Sequence, residues 1–95
     1  MFLVFGFYKF KKTSSLKKLK TFFQKQILEN KVRGTIIFST EGINGTIAGK
    51  KNNVLFIESL LKRKIKFSNF DSKNLSFSQF QPFHRGKIKI KKEVV

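Results

Sequence analysis

The chain has 95 residues, with 21 Lys and Arg against 5 Asp and Glu, and therefore a formal net charge of +16. It contains no Cys and a single His, which excludes a disulfide framework, a thiol nucleophile, Cys-ligated zinc and any multi-histidine metal site. A chain of this length buries one hydrophobic core, which excludes a barrel enzyme or a two-layer nucleotide fold. We therefore predict a single domain over residues 1–95, without a metal or an organic cofactor.

The positive charge is spread along the whole chain. Residues 1–48 carry nine Lys and Arg with two acids, and residues 49–95 carry twelve with three. A uniformly basic domain predicts a polyanionic partner such as RNA, DNA or an anionic membrane surface. An alternative source of the charge stays open, because Lys outnumbers Arg 18 to 3 and Lys, Phe, Ile and Asn all have AT-rich codons.

The first ten residues are strongly apolar. Aromatic and β-branched residues predict a first strand over residues 2–10, with apolar side chains on both of its faces. The segment lacks a basic leader and a small-residue cleavage site, and it is far shorter than the roughly 20 apolar residues that span a bilayer. We expect a cytoplasmic protein without a membrane partner.

Two amphipathic helices are predicted. The first covers residues 15–29 after an N-cap at Ser14, and its lysines lie opposite the apolar side, which is typical of a solvated face. The second covers residues 54–64 after an N-cap at Asn53 and ends in Lys62, Arg63 and Lys64, which suits the negative end of a helix dipole.

The remaining strands are less uniform. Residues 33–39 predict a second strand, Asn44-Gly45 a hairpin turn, and residues 46–48 a third strand. A short strand is predicted near residues 65–68, followed by an irregular connection. Residues 85–92 alternate strictly, with isoleucines on one face and Lys87, Lys89 and Lys91 on the other.

This order predicts an α+β, ferredoxin-like or acylphosphatase-like split βαβ fold (βαββαβ), with two helices on one face of an antiparallel sheet. The other face would be open. Tyr8, Phe10 and the row of three lysines would share it, and aromatic rings beside cations suit RNA, because bases stack on rings while cations hold phosphates. The alternative is that Tyr8 and Phe10 pack against another domain or a second copy.

Two further groups admit both a functional and a structural interpretation. The segment from Glu41 to Gly45 is either an anion cradle or hairpin chemistry, with Glu41 in a salt bridge to a nearby lysine. The pair His84-Arg85 is either a phosphate contact or a structural feature. No paired carboxylates, Ser/His/Asp set or metal cluster is recognisable, so we predict no catalytic residue.

Several runs resemble the N-terminal domain of the rhodanese-related tRNA uridine hydroxylases, and together they cover about residues 2–95. They are Tyr8-Lys9-Phe10, Arg33-Gly34-Thr35-Ile36-Ile37, the run EGINGTIAG from Glu41 to Gly49, Pro82-Phe83 with Arg85, and Lys91-Lys92-Glu93-Val94-Val95. The resemblance implies an oxygen-dependent family that converts the wobble uridine of tRNA, at position 34, to 5-hydroxyuridine. The family's reactive cysteine belongs to a downstream rhodanese domain. Gly86 departs from the family, since a larger apolar residue is usual there.

The resemblance implies a tRNA-binding module rather than a catalyst, because the chain has no Cys. Expected partners are tRNA and a rhodanese domain in cis or in trans. The alternative is an interaction domain that packs on a rhodanese domain or on itself. Acylphosphatase activity is disfavoured, because the glycine-rich phosphate loop with its Arg is not seen after the first strand. The expected RNA contacts are Tyr8, Lys9, Phe10, Arg33, Arg85, Lys87, Lys89 and Lys91, and the motif turn comprises Glu41, Gly42, Asn44 and Gly45.

Overall fold

The computed structural model describes residues 1–92. Within them, five strands form one sheet in the order β4-β1-β3-β2-β5, and every neighbouring pair is antiparallel except β2 and β5. Two helices pack on this sheet, which confirms the predicted α+β class. The elements are β1 (Phe2–Phe10), α1 (Leu16–Glu29), β2 (Arg33–Ser39), β3 (Gly42–Gly49), α2 (Lys51–Ile65), β4 (Ser72–Ser78) and β5 (Gly86–Ile90).

Strand β1 organises the core. Its odd-numbered residues Leu3, Phe5 and Phe7 are buried among the helix residues, while Tyr8 and Phe10 remain exposed on the other side. This is the consequence of the two-residue period of a strand, which sends alternate side chains to opposite faces. The helices cover one of the two apolar faces of β1. They do not cover the opposite face of the sheet, which we call the open face.

The Asn44-Gly45 dipeptide is not the hairpin turn, so that prediction was wrong. The two-residue turn is Thr40-Glu41, and β3 begins at Gly42 and runs through Asn44 and Gly45. Close packing of β3 explains these glycines. A Cβ at Gly45 would lie 2.5 Å from the carbonyl oxygen of Thr35 and 2.9 Å from Cζ of Phe7. Gly42 has φ of 150°, and a Cβ there would overlap the carbonyl oxygen of Lys9.

The predicted strand near residues 65–68 was also wrong. Ile65 is the last residue of α2, and the fourth strand lies at residues 72–78. The aromatic residues that suggested a strand belong instead to the connection between α2 and β4. The ring of Phe70 packs on Phe7 of β1, with centroids 5.3 Å apart, and the rings of Phe67 and Phe70 are 4.9 Å apart. Strand β4 was not predicted because its sequence, SKNLSFS, is mostly polar. The strand lies at the edge of the sheet, and its residues are almost all exposed.

The last strand, predicted over residues 85–92, is Gly86–Ile90 and is a fifth strand rather than the fourth. It pairs with β2 in parallel, and Ile88 is buried opposite Ile36. The antiparallel arrangement was therefore predicted correctly for β1, β2 and β3 and wrongly for this strand. Residues 93–95, the end of the last family motif, lie outside the described residues.

Both helices begin at other residues than predicted. Helix α1 follows Ser15, which has φ of 57° and makes no side-chain cap, so Ser14 is not the N-cap. Helix α2 starts at Lys51, three residues earlier than expected, with Asn53 inside its first turn. The predicted basic last turn of α2, Lys62 to Lys64, is confirmed.

One buried acid ties the exposed edge strand β4 to the helical layer. The side chain of Glu58 in α2 is only 9% exposed, and its Oε2 accepts a hydrogen bond of 2.8 Å from Nζ of Lys73 in β4. Nζ of Lys62, one helical turn further on, is 3.4 Å from the same oxygen. Glu41 was singled out from the sequence, whereas Glu58 is the buried acid among the described residues.

The Gly45→Ala substitution is expected to destabilise the protein by about 2 kcal/mol, because the added methyl group forces two strands apart. Gly6→Ala in β1 is the matched control: its Cβ would meet Thr46 Oγ1 at 3.6 Å, an ordinary contact, and its unfolding free energy is expected to change by less than about 0.5 kcal/mol. Urea unfolding followed by circular dichroism measures both. Equal effects of the two substitutions would contradict the steric explanation.

The Glu58→Gln substitution is expected to cost about 1–3 kcal/mol, because it leaves Lys73 without its charged partner at a partly buried site. Glu29→Gln removes the same charge from an exposed pair, where Glu29 lies 3.8 Å from Lys25, and is expected to cost less than about 0.5 kcal/mol. The measurement is again urea unfolding. If Glu58→Gln is as mild as Glu29→Gln, the buried pair does not hold β4.

Candidate nucleic-acid interface

The open face is built from rows of residues that cross the sheet. Register places Tyr8 of β1 beside Asn44 of β3, Asn44 beside Ile37 of β2, and Ile37 beside Lys89 of β5. Three strand spacings separate the ends of this row, so the Cα atoms of Tyr8 and Lys89 lie about 14 Å apart. On this surface the aromatic residues of β1, which we call the aromatic edge, and the lysines of β5, which we call the basic edge, therefore lie on either side of Asn44 and Ile37. In the sheet itself, β4 lies beyond β1.

Tyr8 and Phe10 form the aromatic edge. Their ring centroids are 5.4 Å apart with an interplanar angle of 72°, and the two residues are 38% and 51% exposed. Large apolar rings usually lie in the core, and Phe5 and Phe7 of the same strand do so. An exposed aromatic pair on a sheet is a surface on which nucleobases stack.

Lysines of β5 form the basic edge. Lys87 and Lys89 lie on the open face because Ile88 between them points into the core. Lys91 follows the strand, and its backbone N–H donates to the carbonyl oxygen of Phe38 at 2.9 Å. All three lysines are exposed. The structure thus brings Tyr8, Phe10, Lys87 and Lys89 to one face, as the alternation of their strands predicts.

Lys9 lies on the opposite face from Tyr8 and Phe10. Its Nζ is 3.6 Å from Oδ1 of Asp71 and 5.7 Å from the ring centroid of Phe67, and its side chain is 21% exposed. Asp71 also accepts a hydrogen bond of 2.7 Å from the backbone N–H of Phe10. These contacts give Lys9 a structural role and hold its side chain on the opposite face of the sheet from Tyr8 and Phe10.

Arg33 and Arg85 lie at the far end of the sheet, where the connection from β4 to β5 passes. Nη1 of Arg33 donates to the carbonyl oxygen of Phe83 at 3.4 Å, and the backbone N–H of Gly34 donates to that of Arg85 at 3.0 Å. Both arginines and His84 line a cleft of about 900 Å³. The structure brings the two arginines together with His84, but at the opposite end of the domain from Tyr8 and Phe10.

The motif turn does not form an anion cradle. Gly42, Asn44 and Gly45 lie in β3, which pairs with β1 on one side and β2 on the other, so its backbone N–H groups belong to the sheet. Glu41 is exposed in the turn, where its N–H donates to Oγ of Ser39 at 3.0 Å. The expected salt bridge of Glu41 is absent within residues 1–92.

The structure contains a second basic cluster that was not predicted from the sequence. A cleft of about 560 Å³ between the β1–α1 connection and the end of α2 is lined by five lysines: Lys11, Lys12, Lys18, Lys64 and Lys66. They come from separate segments that look unrelated in sequence. The order of elements contained the necessary signal, because in a βαββαβ unit the first helix begins and the second helix ends at the same end of the sheet.

Two classes of site find no support among the described residues. In that part of the chain, no three His, Cys, Asp or Glu side chains come together as metal ligands. Neither of the two helices is long and apolar enough to cross a membrane.

Comparison with known proteins assigns the chain to a family. Residues 2–94 match the family described as "UPF0176 acylphosphatase like domain". Solved structures share the fold at low identity: an acylphosphatase from Bacillus subtilis has a TM-score of 0.58 at 15% identity, with 96% of this chain and 99% of that one covered. The BLUF protein BlrP1 has a TM-score of 0.64 at 12% identity, covering 96% of this chain and 63% of that one.

Sequence relatives are more specific. A tRNA uridine(34) hydroxylase of Pelagibacter ubique (strain HTCC1062) is 54% identical over 95 residues, which are 100% of this chain and 32% of that protein. One of Acaryochloris marina (strain MBIC 11017) is 37% identical over 94 residues, 99% of this chain and 30% of that protein. The chain thus spans about a third of the length of these relatives. It belongs to the UPF0176 acylphosphatase-like domain family and is homologous to the N-terminal part of tRNA uridine(34) hydroxylases.

Proposed function

We propose that this chain is a non-catalytic tRNA-binding module that serves wobble-uridine hydroxylation and engages tRNA through its open face. The observation that carries the proposal is the exposed Tyr8–Phe10 pair on the same face as Lys87 and Lys89. The identity of 54% to a tRNA uridine(34) hydroxylase supports the choice of tRNA among polyanions.

The chemistry of the two edges is complementary. RNA is read mainly in single-stranded loops, whose unstacked bases are free to stack on aromatic side chains. Tyr8 and Phe10 offer such rings, while Lys87, Lys89 and Lys91 neutralise phosphates of the same strand. Since stacking on rings and contacts to phosphates carry little base specificity, we assign the module the positioning of tRNA and leave recognition of the uridine to another part of the enzyme.

The oxidation itself requires a partner. This chain has no Cys, and we place the reactive cysteine on a rhodanese domain that acts in cis or in trans. The module then works in the cytoplasm, where tRNA is modified, and contributes binding energy and orientation rather than a reacting group.

The Phe10→Ala substitution is expected to weaken tRNA binding about tenfold, because base stacking on one ring contributes about 1–3 kcal/mol. Phe56→Ala is the matched control, since Phe56 is 41% exposed but lies on α2, away from the open face. Fluorescence anisotropy with labelled tRNA at fixed salt measures both. Double-stranded DNA of similar length serves as the electrostatic reference.

Two results would overturn the proposal. One is a wild-type affinity for tRNA no greater than that for the DNA duplex, which would reduce binding to net charge. The other is equal weakening by Phe10→Ala and Phe56→Ala, which would remove the open face from the interaction.

A second candidate function, self-association, is favoured by the edge strand β4. Leu75 and Phe77 are 46% and 59% exposed there, and residues 67–80 carry one acid and one base in a chain of net charge +16. Exposed backbone groups on an edge strand pair readily with another strand. The occupant we commit to is the β4 strand of a second copy, because residues 67–80 carry no net charge and two such basic domains repel each other least there.

The Phe77→Lys substitution tests this candidate. If β4 pairs with a second copy, light scattering over a concentration series at moderate salt is expected to show a dimer for the wild type and a monomer for the variant. Phe80→Lys, at a residue 70% exposed beyond the end of β4, controls for added charge. A wild-type mass that stays monomeric at every concentration would exclude self-association.

A further inference from the structure

We propose that the cleft between the β1–α1 connection and the end of α2 binds phosphate groups of the tRNA backbone. Its five lysines are Lys11, Lys12, Lys18, Lys64 and Lys66, and we call it the lysine cleft. None of these residues belongs to the open face as predicted from sequence. The inference rests on the proposed tRNA-binding function and adds to it a second, sequence-independent contact.

Backbone hydrogen bonds hold one wall of the lysine cleft in place. The N–H of Lys11 donates to the carbonyl oxygen of Glu41 at 2.8 Å, and the N–H of Thr13 donates to that of Thr40 at 3.0 Å. The β1–α1 connection is thereby attached to the β2–β3 turn, so Lys11 and Lys12 are presented from a rigid segment rather than from a free loop.

The other wall is fixed by an aromatic contact between the helices. Nζ of Lys64 lies 4.4 Å from the ring centroid of Phe22, a cation–π contact that joins the end of α2 to α1. Lys66 ends α2 in a left-handed conformation, and its N–H donates to the carbonyl oxygen of Lys62 at 2.9 Å. Two helices thus bring cations from opposite sides to one cleft.

No acidic side chain among the described residues forms an ion pair with a lysine of the lysine cleft. Within residues 1–92, the ion pairs of lysines involve Lys9, Lys25, Lys62 and Lys73, and none of the five cleft lysines. The first turn of α1, which borders the cleft, contains no acidic residue and has no side-chain cap, so its positive dipole end adds to the same sign. Like charges that converge without a partner destabilise the fold unless an anion joins them.

The cleft suits phosphates rather than a single small anion. Its volume of about 560 Å³ accommodates several phosphate groups, and its lining also includes Ser14 and Ser15, residues whose hydroxyl groups are hydrogen-bond donors. Lysine binds phosphate as a mobile point charge without demanding a particular geometry, which fits a backbone contact rather than base recognition.

The lysine cleft and the aromatic edge of the open face are adjacent in the chain. Phe10 is the last residue of β1, and Lys11 and Lys12 follow it directly. An RNA strand whose base stacks on Phe10 therefore has its neighbouring phosphates beside Lys11 and Lys12, at the mouth of the cleft. The two contacts form one path along the end of the sheet.

The decisive comparison is between two double variants of equal charge. Lys18→Gln with Lys66→Gln removes one cleft lysine from α1 and one from the C-cap of α2, and Lys25→Gln with Lys51→Gln removes one lysine from each helix outside the cleft. We expect the cleft variant to bind tRNA about tenfold more weakly than the control variant at low salt, and its salt slope to fall by about 1.5, as two lost phosphate contacts require. Equal affinities and slopes would overturn the proposal.

A second arm separates this proposal from the proposed function. Inorganic pyrophosphate is titrated into the wild type and both double variants, and the thermal midpoint is measured. We expect a rise that is lost in the cleft variant and kept in the control. If tRNA binds no better than a DNA duplex, the proposed function fails while this arm still reports on the cleft. If only pyrophosphate distinguishes the variants, the cleft serves a free phosphorylated ligand, and RNA is excluded as its source.

Discussion

The tight packing of β3 between β1 and β2 is the constraint on which the rest of the structure depends. Gly45 has no room for a Cβ between the carbonyl oxygen of Thr35 and the ring of Phe7, and Gly42 none beside the carbonyl oxygen of Lys9. Because β3 pairs on both sides, it sets the register of β1 against β2. That register places Tyr8 in one row with Lys89 and brings the start of α1 beside the end of α2.

This constraint changes the meaning of the EGINGTIAG run. A glycine-rich segment suggests a ligand loop, yet here the glycines permit close approach of three strands, and the chain reverses at Thr40-Glu41 just before them. The motif is therefore a signature of the fold. Within residues 1–92, the better functional candidates are exposed side chains that the core does not require, namely the rings of Tyr8 and Phe10 and the lysines without an ion-pair partner.

Electrostatics is the second organising effect. Five acids beside 21 basic residues neutralise little of the positive charge. Two of these acids form ion pairs near the edge of the sheet: Glu58 pairs with Lys73 of β4, and Asp71, in the connection before β4, pairs with Lys9. The lysines of β5 and of the lysine cleft remain without such partners in the described residues. A field of this kind attracts a polyanion from a distance and weakens with salt, which is why matched-charge controls are needed to separate a site from net charge.

Much of this protein was determined by local sequence. The alternation of apolar residues in β1 and β5 predicts which side chains face the core, and the apolar stripes predict the two helices. The ordered motifs indicate the family. Each of these patterns depends on residues that are close together in the sequence. Only tertiary structure decided the rest. β4 is a strand because Glu58 and the edge of β1 stabilise it, Asn44-Gly45 lies inside a strand because three strands meet there, and five lysines from distant segments form one cleft because two helix ends coincide. Such contacts join residues far apart in the chain, and no local pattern records them.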